Sequence, residues 1–101
     1  MFIAMNRFKI IPGKEQEFIE LWKKRDSYLG EVPGFKSFNL LQGKSYDDYT
    51  LFASHTMWES EKAFEDWTYS DVFKIAHAHA GEKTKNTYVE PPKLEFFDAV
   101  I

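Results

Sequence analysis

The first ten residues constrain the fold more than any other stretch. From Phe2 to Ile10 the chain alternates, with Phe2, Ala4, Asn6, Phe8 and Ile10 on one side and Ile3, Met5, Arg7 and Lys9 on the other. That period of two is the mark of a strand with one face on a core. One position breaks the pattern. Asn6 stands in the apolar row, where a buried amide must find partners for both its NH2 and its carbonyl. Two readings are open for it here: an asparagine that satisfies neighbouring backbone, or one that lines a pocket.

Pro12 and Gly13 end the strand, and Phe18, Leu21, Trp22 and Leu29 then recur at helical intervals, which predicts a helix over residues 14–29. Glu15 and Glu17 near its start and Lys23, Lys24 and Arg25 near its end follow the helix dipole and read as a solvated face. Trp22 is expected in the core, or as a wall of a pocket on the inner side of that helix. Gly30, Pro33 and Gly34 break the helix, and residues 35–42 and 48–55 read as two strands of a hairpin around the polar turn 43–48. His55, at the end of the second of these, is expected at the surface. Ser60 caps a further helical segment in which Ala63, Phe64 and Trp67 share a face, with Trp67 directed inward. Ser70 and Asp71 cap another over residues 71–80, with Gly81 as its stop. Residues 82–90 are polar and without period, which predicts a mobile loop, and residues 93–101 read as a last strand.

Strand, helix, strand, strand, helices, strand is the order of the α+β, ferredoxin-like split βαβ arrangement, a single domain over residues 1–101 with one antiparallel sheet and helices on one face. The helices are too few to cover both faces. Yet Phe96 and Phe97 point opposite ways, and the second and third strands carry apolar residues on both parities. The uncovered face calls for a partner, and a two-fold homodimer packing sheet on sheet as a dimeric α+β barrel is the simplest one.

Composition excludes several classes. Thirteen Lys and Arg against sixteen Asp and Glu give a net charge of −3 with no basic block, so nucleic acid is not an expected partner. The absence of cysteine removes disulfides, thiolate nucleophiles and cysteine-based metal sites. No apolar run approaches the roughly 18 residues of a membrane span, and no signal-peptide pattern opens the chain, so the expectation is a cytoplasmic domain without a membrane partner.

Within residues 71–80, His77 and His79 lie two positions apart and point about 200° away from each other, so they cannot chelate one ion together. His77 shares a face with Phe73, one turn earlier. On residue chemistry alone, His77 is open to two readings: a hydrogen-bonded core histidine, the commoner fate, or a ligand.

The run Trp58, Ser60, Ala63, Phe64 and Trp67, followed by Ser70 to His79, resembles the IsdG-type haem-degrading monooxygenases, antibiotic biosynthesis monooxygenase-like proteins of the dimeric α+β barrel superfamily. The Asn6–Arg7 pair and the Gly34–Phe35 entry to the second strand resemble theirs too. The likeness runs nearly the whole length and is weakest in residues 43–48 and 82–90. It implies that His77 is the proximal ligand to haem iron, that Trp67, ten positions earlier, presses on a ruffled macrocycle, and that Asn6 donates its amide N–H on the distal side. Phe73 would complete the haem wall. Haem (iron protoporphyrin IX) would be both cofactor and substrate: O2 is activated at its iron, the macrocycle opens and iron leaves. No GxGxxG or second domain offers a flavin or nicotinamide site, so an external electron donor, an unidentified reductase or a small reductant, is implied. The same scaffold carries cofactor-independent quinol monooxygenases, and a non-catalytic haem-binding or transfer protein would use the same His77; both remain alternatives.

Overall fold

The computed structural model describes residues 1–24, 29–71, 73–74 and 87–101. Strand β1 (Phe2–Ile10) is central, flanked by β3 (Thr50–Trp58) and β4 (Lys93–Asp98), while β2 (Phe35–Ser45) pairs with the outer side of β3. The order β2-β3-β1-β4 is antiparallel throughout. It is the ferredoxin-like arrangement the element order predicts. Helices α1 (Glu15–Lys23) and α2 (Glu61–Thr68) cover one face.

The alternation of β1 translates directly into burial. Phe2, Ala4, Phe8 and Ile10 are buried beneath the helices, and their β3 partners on that face, Trp58, Thr56, Phe52 and Thr50, are buried with them. Two clusters result. Phe18 from α1 closes over Phe8, Ile10 and Phe52, with Ile19, Trp22, Leu40 and Tyr88 around them. Trp67 from α2 closes over Phe2, Ala4 and Trp58, joined by Leu29, Phe35, Phe38, Phe64 and Phe73.

Ser60 caps α2 as its sequence suggests, its hydroxyl accepting the Ala63 N–H at 3.1 Å. Gly34, at φ +83°, lets that helix sit down on the entry to β2, since a Cβ there would lie 2.5 Å from the Ala63 Cβ.

Several boundaries differ from expectation. Helix α1 ends at Lys23, and Leu29 belongs to a short 3₁₀ turn, Leu29–Glu31. Its helical spacing from Trp22 is coincidental, because Leu29 packs in the α2 cluster and not the α1 cluster. In the hairpin β2 runs three residues further, to Ser45, and β3 is shifted to Thr50–Trp58, with the Tyr46 N–H bonded to the Tyr49 carbonyl at the tip. His55 is therefore inside β3, between Met5 and Asn39 on the face opposite the helices, and only half-buried. Of the predicted loop 82–90, residues 82–86 fall outside the described set. Residues 87–90 are tied to β1: the Thr87 carbonyl accepts from Ile11 N–H at 2.8 Å, Val89 N–H donates to the Lys9 carbonyl at 2.7 Å, and Lys9 pairs with Glu90 at 3.1 Å. Strand β4 stops at Asp98, three residues short of the predicted end.

On the uncovered face, Ile3, Met5 and Met57 are only half-buried, while Leu41 and Phe97 are 43% and 44% exposed. A charged pair, Arg7 with Glu95, crosses from β1 to β4 on the same side.

Candidate functional site

Where the two clusters meet, the sheet presents a row read across the strands as Leu40, Ser54, Asn6 and Leu94. The rows on either side are dominated by apolar residues: Phe38, Thr56, Ala4 and Phe96 on one, and Gln42, Phe52 and Phe8 on the other. The seam between α1 and α2 therefore carries two adjacent small polar side chains in its middle.

Asn6 is the misfit the sequence singles out, and it lies on the helix-covered face. Its Oδ1 is buried and has no hydrogen-bond partner among the described residues. A carbonyl oxygen stripped of water and left unmatched costs about 1–3 kcal/mol. Backbone satisfaction, the bland reading of this asparagine, does not account for that atom. The amide stands as a two-ended polar group among largely apolar sheet neighbours, able to donate through its NH2 and to accept through its carbonyl.

Trp67 reaches the same side of the sheet from α2 and is 8% exposed. It is held by rings on three sides: Trp58 at 5.2 Å, Phe64 at 6.0 Å and Phe73 edge-on at 4.7 Å. These contacts leave the indole little rotational freedom. The approach of Phe73 depends on Ser70. Its hydroxyl donates to the Trp67 carbonyl at 2.6 Å and accepts from the Phe73 N–H at 3.2 Å, so one side chain ends α2 and starts the next helical turn at Asp71. The helix start predicted at Ser70 and Asp71 is present. His77 and His79, further along that predicted helix, lie outside the described residues.

The structure thus brings Trp67 and Phe73 into contact and sets Asn6 one inward position along β1 from Ala4, a member of the Trp67 cluster. Trp22 stacks on Phe38 at 5.6 Å and spans the two clusters at the β2 end. A cleft of about 340 Å³ opens beside this stack, lined by Ile19, Trp22, Phe38, Leu40 and Phe52. A second, of about 380 Å³, touches Trp67 from the side of Gly34 and Ser60, and Asn6 lines neither cleft. The buried, unmatched Asn6 carbonyl makes the seam the candidate site.

Two features escaped sequence reading. Ser54 attracts no attention until the register places it across from Asn6. Tyr88, inside a polar run, stacks on Phe8 at 5.7 Å; the β-branched and aromatic triplet Thr87, Tyr88 and Val89 is the signal that could have found it. Among the described residues no cluster of three His, Asp or Glu side chains could hold a metal ion, and no helix is long and apolar enough to cross a membrane.

Comparison with known proteins adds the following. Residues 1–79 match the family model described as antibiotic biosynthesis monooxygenase. The chain is 33% identical over 85 residues to heme oxygenase (staphylobilin-producing) 1 of Staphylococcus aureus (strain Newman), spanning 84% of this chain and 78% of that one. Its fold is similar to that of the heme-degrader MhuD from Mycobacterium tuberculosis, solved with two hemes bound in its active site, with a TM-score of 0.74, 25% identity and coverage of 100% and 97%. A putative antibiotic biosynthesis monooxygenase from Bacillus cereus has a similar fold, with a TM-score of 0.77 at 18% identity over 99% of this chain and 91% of that one.

Proposed function

Because this chain belongs to the antibiotic biosynthesis monooxygenase family, we propose that it is a haem-degrading monooxygenase whose site is the Asn6 seam. The observation that carries this reading is the buried, unmatched Asn6 carbonyl in an apolar row between two aromatic clusters. The 33% identity to a staphylobilin-producing heme oxygenase supports haem as the molecule that occupies it.

The residues present fit that group. A flat, apolar macrocycle suits a seam walled by rings, and a single amide in such a wall has work to do only if a polar atom arrives with the ligand. Haem, when bound, supplies the iron at which dioxygen is activated and is itself the molecule opened, with release of its iron. His77 would hold the iron through a ring nitrogen, for which it must be neutral, so binding would weaken as pH falls through the ordinary histidine range. Asn6 offers its amide N–H to charge that develops over the sheet, fixed in place by a strand backbone that does not reorganise. Trp67, clamped by Trp58, Phe64 and Phe73, presents a rigid ring that can bear on the macrocycle without turning aside. Phe73 and the surrounding rings keep water from the seam. Electrons come from outside the chain, through a reductase or a small reductant. The uncovered sheet face, with Ile3, Met5, Leu41, Met57 and Phe97, is the interface of a homodimer, and the protein acts in the cytoplasm.

The test is an anaerobic haem titration, followed by ascorbate and air with catalase present. A saturable Soret band at one haem per chain that decays to a bilin-like absorbance with chelatable iron is the expected result. A Soret band that persists would mean a haem carrier, and no band at all would favour a cofactor-independent quinol monooxygenase. In the same assay, His77→Ala should weaken binding or abolish turnover.

A further inference from the structure

Resting on the haem reading above, we propose that Ser54 is a second ligand-contacting residue of the seam: its hydroxyl meets the same polar part of the ligand as the Asn6 amide, and so sets which part of the macrocycle is presented for attack. The observation is a gap in the roof. On the helix-covered face of β1, Phe2, Ala4, Phe8 and Ile10 are buried, and Asn6 is half-buried. On the same face of β3, Thr50, Phe52, Thr56 and Trp58 are buried, and Ser54 is half-buried. Register sets these two residues directly opposite each other. The helices therefore leave one row of the two central strands open, and it is the row that carries the polar pair.

The gap runs on to both edges of the sheet. Leu40 on β2 is half-buried and Leu94 on β4 is 55% exposed, so the open row crosses all four strands, about 14 Å at the usual spacing of about 4.8 Å between neighbours. Its floor is apolar at both ends and polar in the middle. The rows beside it are closed by Ala4 and Thr56 and by Phe8 and Phe52, all buried. The other hydroxyls on this face of β3 are committed to the fold: Thr56 Oγ1 donates to the Ala4 carbonyl at 3.2 Å, and Thr50 Oγ1 donates to Glu15 Oε2 at 2.8 Å. Ser54 and Asn6 are not bonded to each other, and among the described residues the Ser54 hydroxyl makes no side-chain hydrogen bond. Side chains so placed have Cβ atoms about 4.5–5.5 Å apart, so one oxygen above the row comes within reach of both. The hydroxyl can donate or accept, and the amide offers a donor and, in its unmatched carbonyl, an acceptor. Ser54 stands on the β2 side of Asn6, and Leu94, with an apolar side chain, on the β4 side. The pair therefore draws a polar atom of the ligand to the middle of the row, whereas Asn6 alone would hold it nearer β4.

Ser54→Thr and Ser54→Val introduce side chains of the same shape that differ in the hydroxyl. Three readouts are taken: urea unfolding of the ligand-free protein, the C–O stretch of the ferrous haem–CO complex, and the ratio of bilin isomers formed. Without haem, Ser54→Val should unfold at no lower urea concentration than Ser54→Thr, since the hydroxyl holds nothing in the fold. With haem, Ser54→Thr should keep the wild-type C–O band and isomer ratio. Ser54→Val should move the band to higher wavenumber and change the ratio, with turnover about fivefold below that of Ser54→Thr, the equivalent of one neutral hydrogen bond at about 1 kcal/mol. A C–O band and an isomer ratio shared by the two variants would overturn the proposal, as would a Ser54→Val protein that unfolds before Ser54→Thr. If the wild type gives no Soret band, the haem reading fails and this inference falls with it; a wild-type Soret band with indistinguishable variants sinks the inference alone.

Discussion

Under α1 the centre of the core is closed. Phe18 and Ile10 are fully buried, Phe52 and Phe8 nearly so, and the rings of Phe18, Phe8 and Phe52 interlock at 5.1 Å. Under α2 the packing is of another kind. Trp58 is fully buried with an indole N–H that has no partner among the described residues, Phe64 and Phe73 are half-buried, and Phe96 is 50% exposed. Both clusters sit on the same face of one sheet. The first is built on interlocked rings that are almost wholly buried. The second joins partly exposed rings to a fully buried indole, and in the proposed reading it trades some stability for a ligand.

Truncation tests that contrast most strongly under α1. Phe18→Ala removes the ring at the centre of the closed cluster and should cost about 3–5 kcal/mol in urea unfolding. A loss below about 1 kcal/mol would mean the cluster collapses around the gap and is not the principal core. Gly34→Ala disturbs the seat of α2: it combines a positive φ with a Cβ 2.5 Å from that of Ala63, and should lower stability by about 1–3 kcal/mol. Normal thermal stability in that variant would show that α2 can lift without consequence. Trp67→Phe keeps an aromatic in the second cluster, so the stability loss should be smaller, about 1–2 kcal/mol. The haem spectrum and cleavage rate should change nonetheless; if neither does, Trp67 is core and the two clusters do not differ in kind.

The smallest effect concerns a polar anchor at the edge of the α1 cluster. The Glu15 carboxyl is held below the usual carboxylate range by its own backbone N–H, by the Thr50 hydroxyl and by the Gly13 N–H. A lowered carboxyl stabilises the fold above its unfolded pKa, and that contribution is lost as pH falls through the lower, folded one. Thr50→Val should therefore shift acid unfolding slightly to higher pH, and coincident acid-unfolding curves for the two proteins would remove Glu15 from the account.

Much of this was legible in the sequence because it depends on local pattern. Alternation in β1, the Ser60 cap and the Ser70 helix start need only neighbours within a few residues, and each is present. Asn6 could be flagged because it violates an otherwise regular row. What could not be read depends on register. The pairing of Asn6 with Ser54 follows from where the hairpin turns, and the turn between Tyr46 and Tyr49 comes later than the glycine at Gly43 suggests. Leu29 misled for a related reason: its helical spacing from Trp22 continues past the end of α1 at Lys23, while its packing is with the α2 cluster. Tyr88 was hidden in polar surroundings, since an isolated pairing with Ile10 leaves no period of its own.

In the proposed reading Asn6 is kept for a ligand and not for the fold. Asn6→Leu, nearly the same size and without polar atoms, tests it directly when unfolding of the ligand-free protein and turnover of haem are measured on one preparation. The variant should be at least as stable as the wild type, because an unmatched buried carbonyl is gone, with haem cleavage strongly slowed. A variant destabilised by more than about 1 kcal/mol, or one that cleaves haem at the wild-type rate, would contradict it.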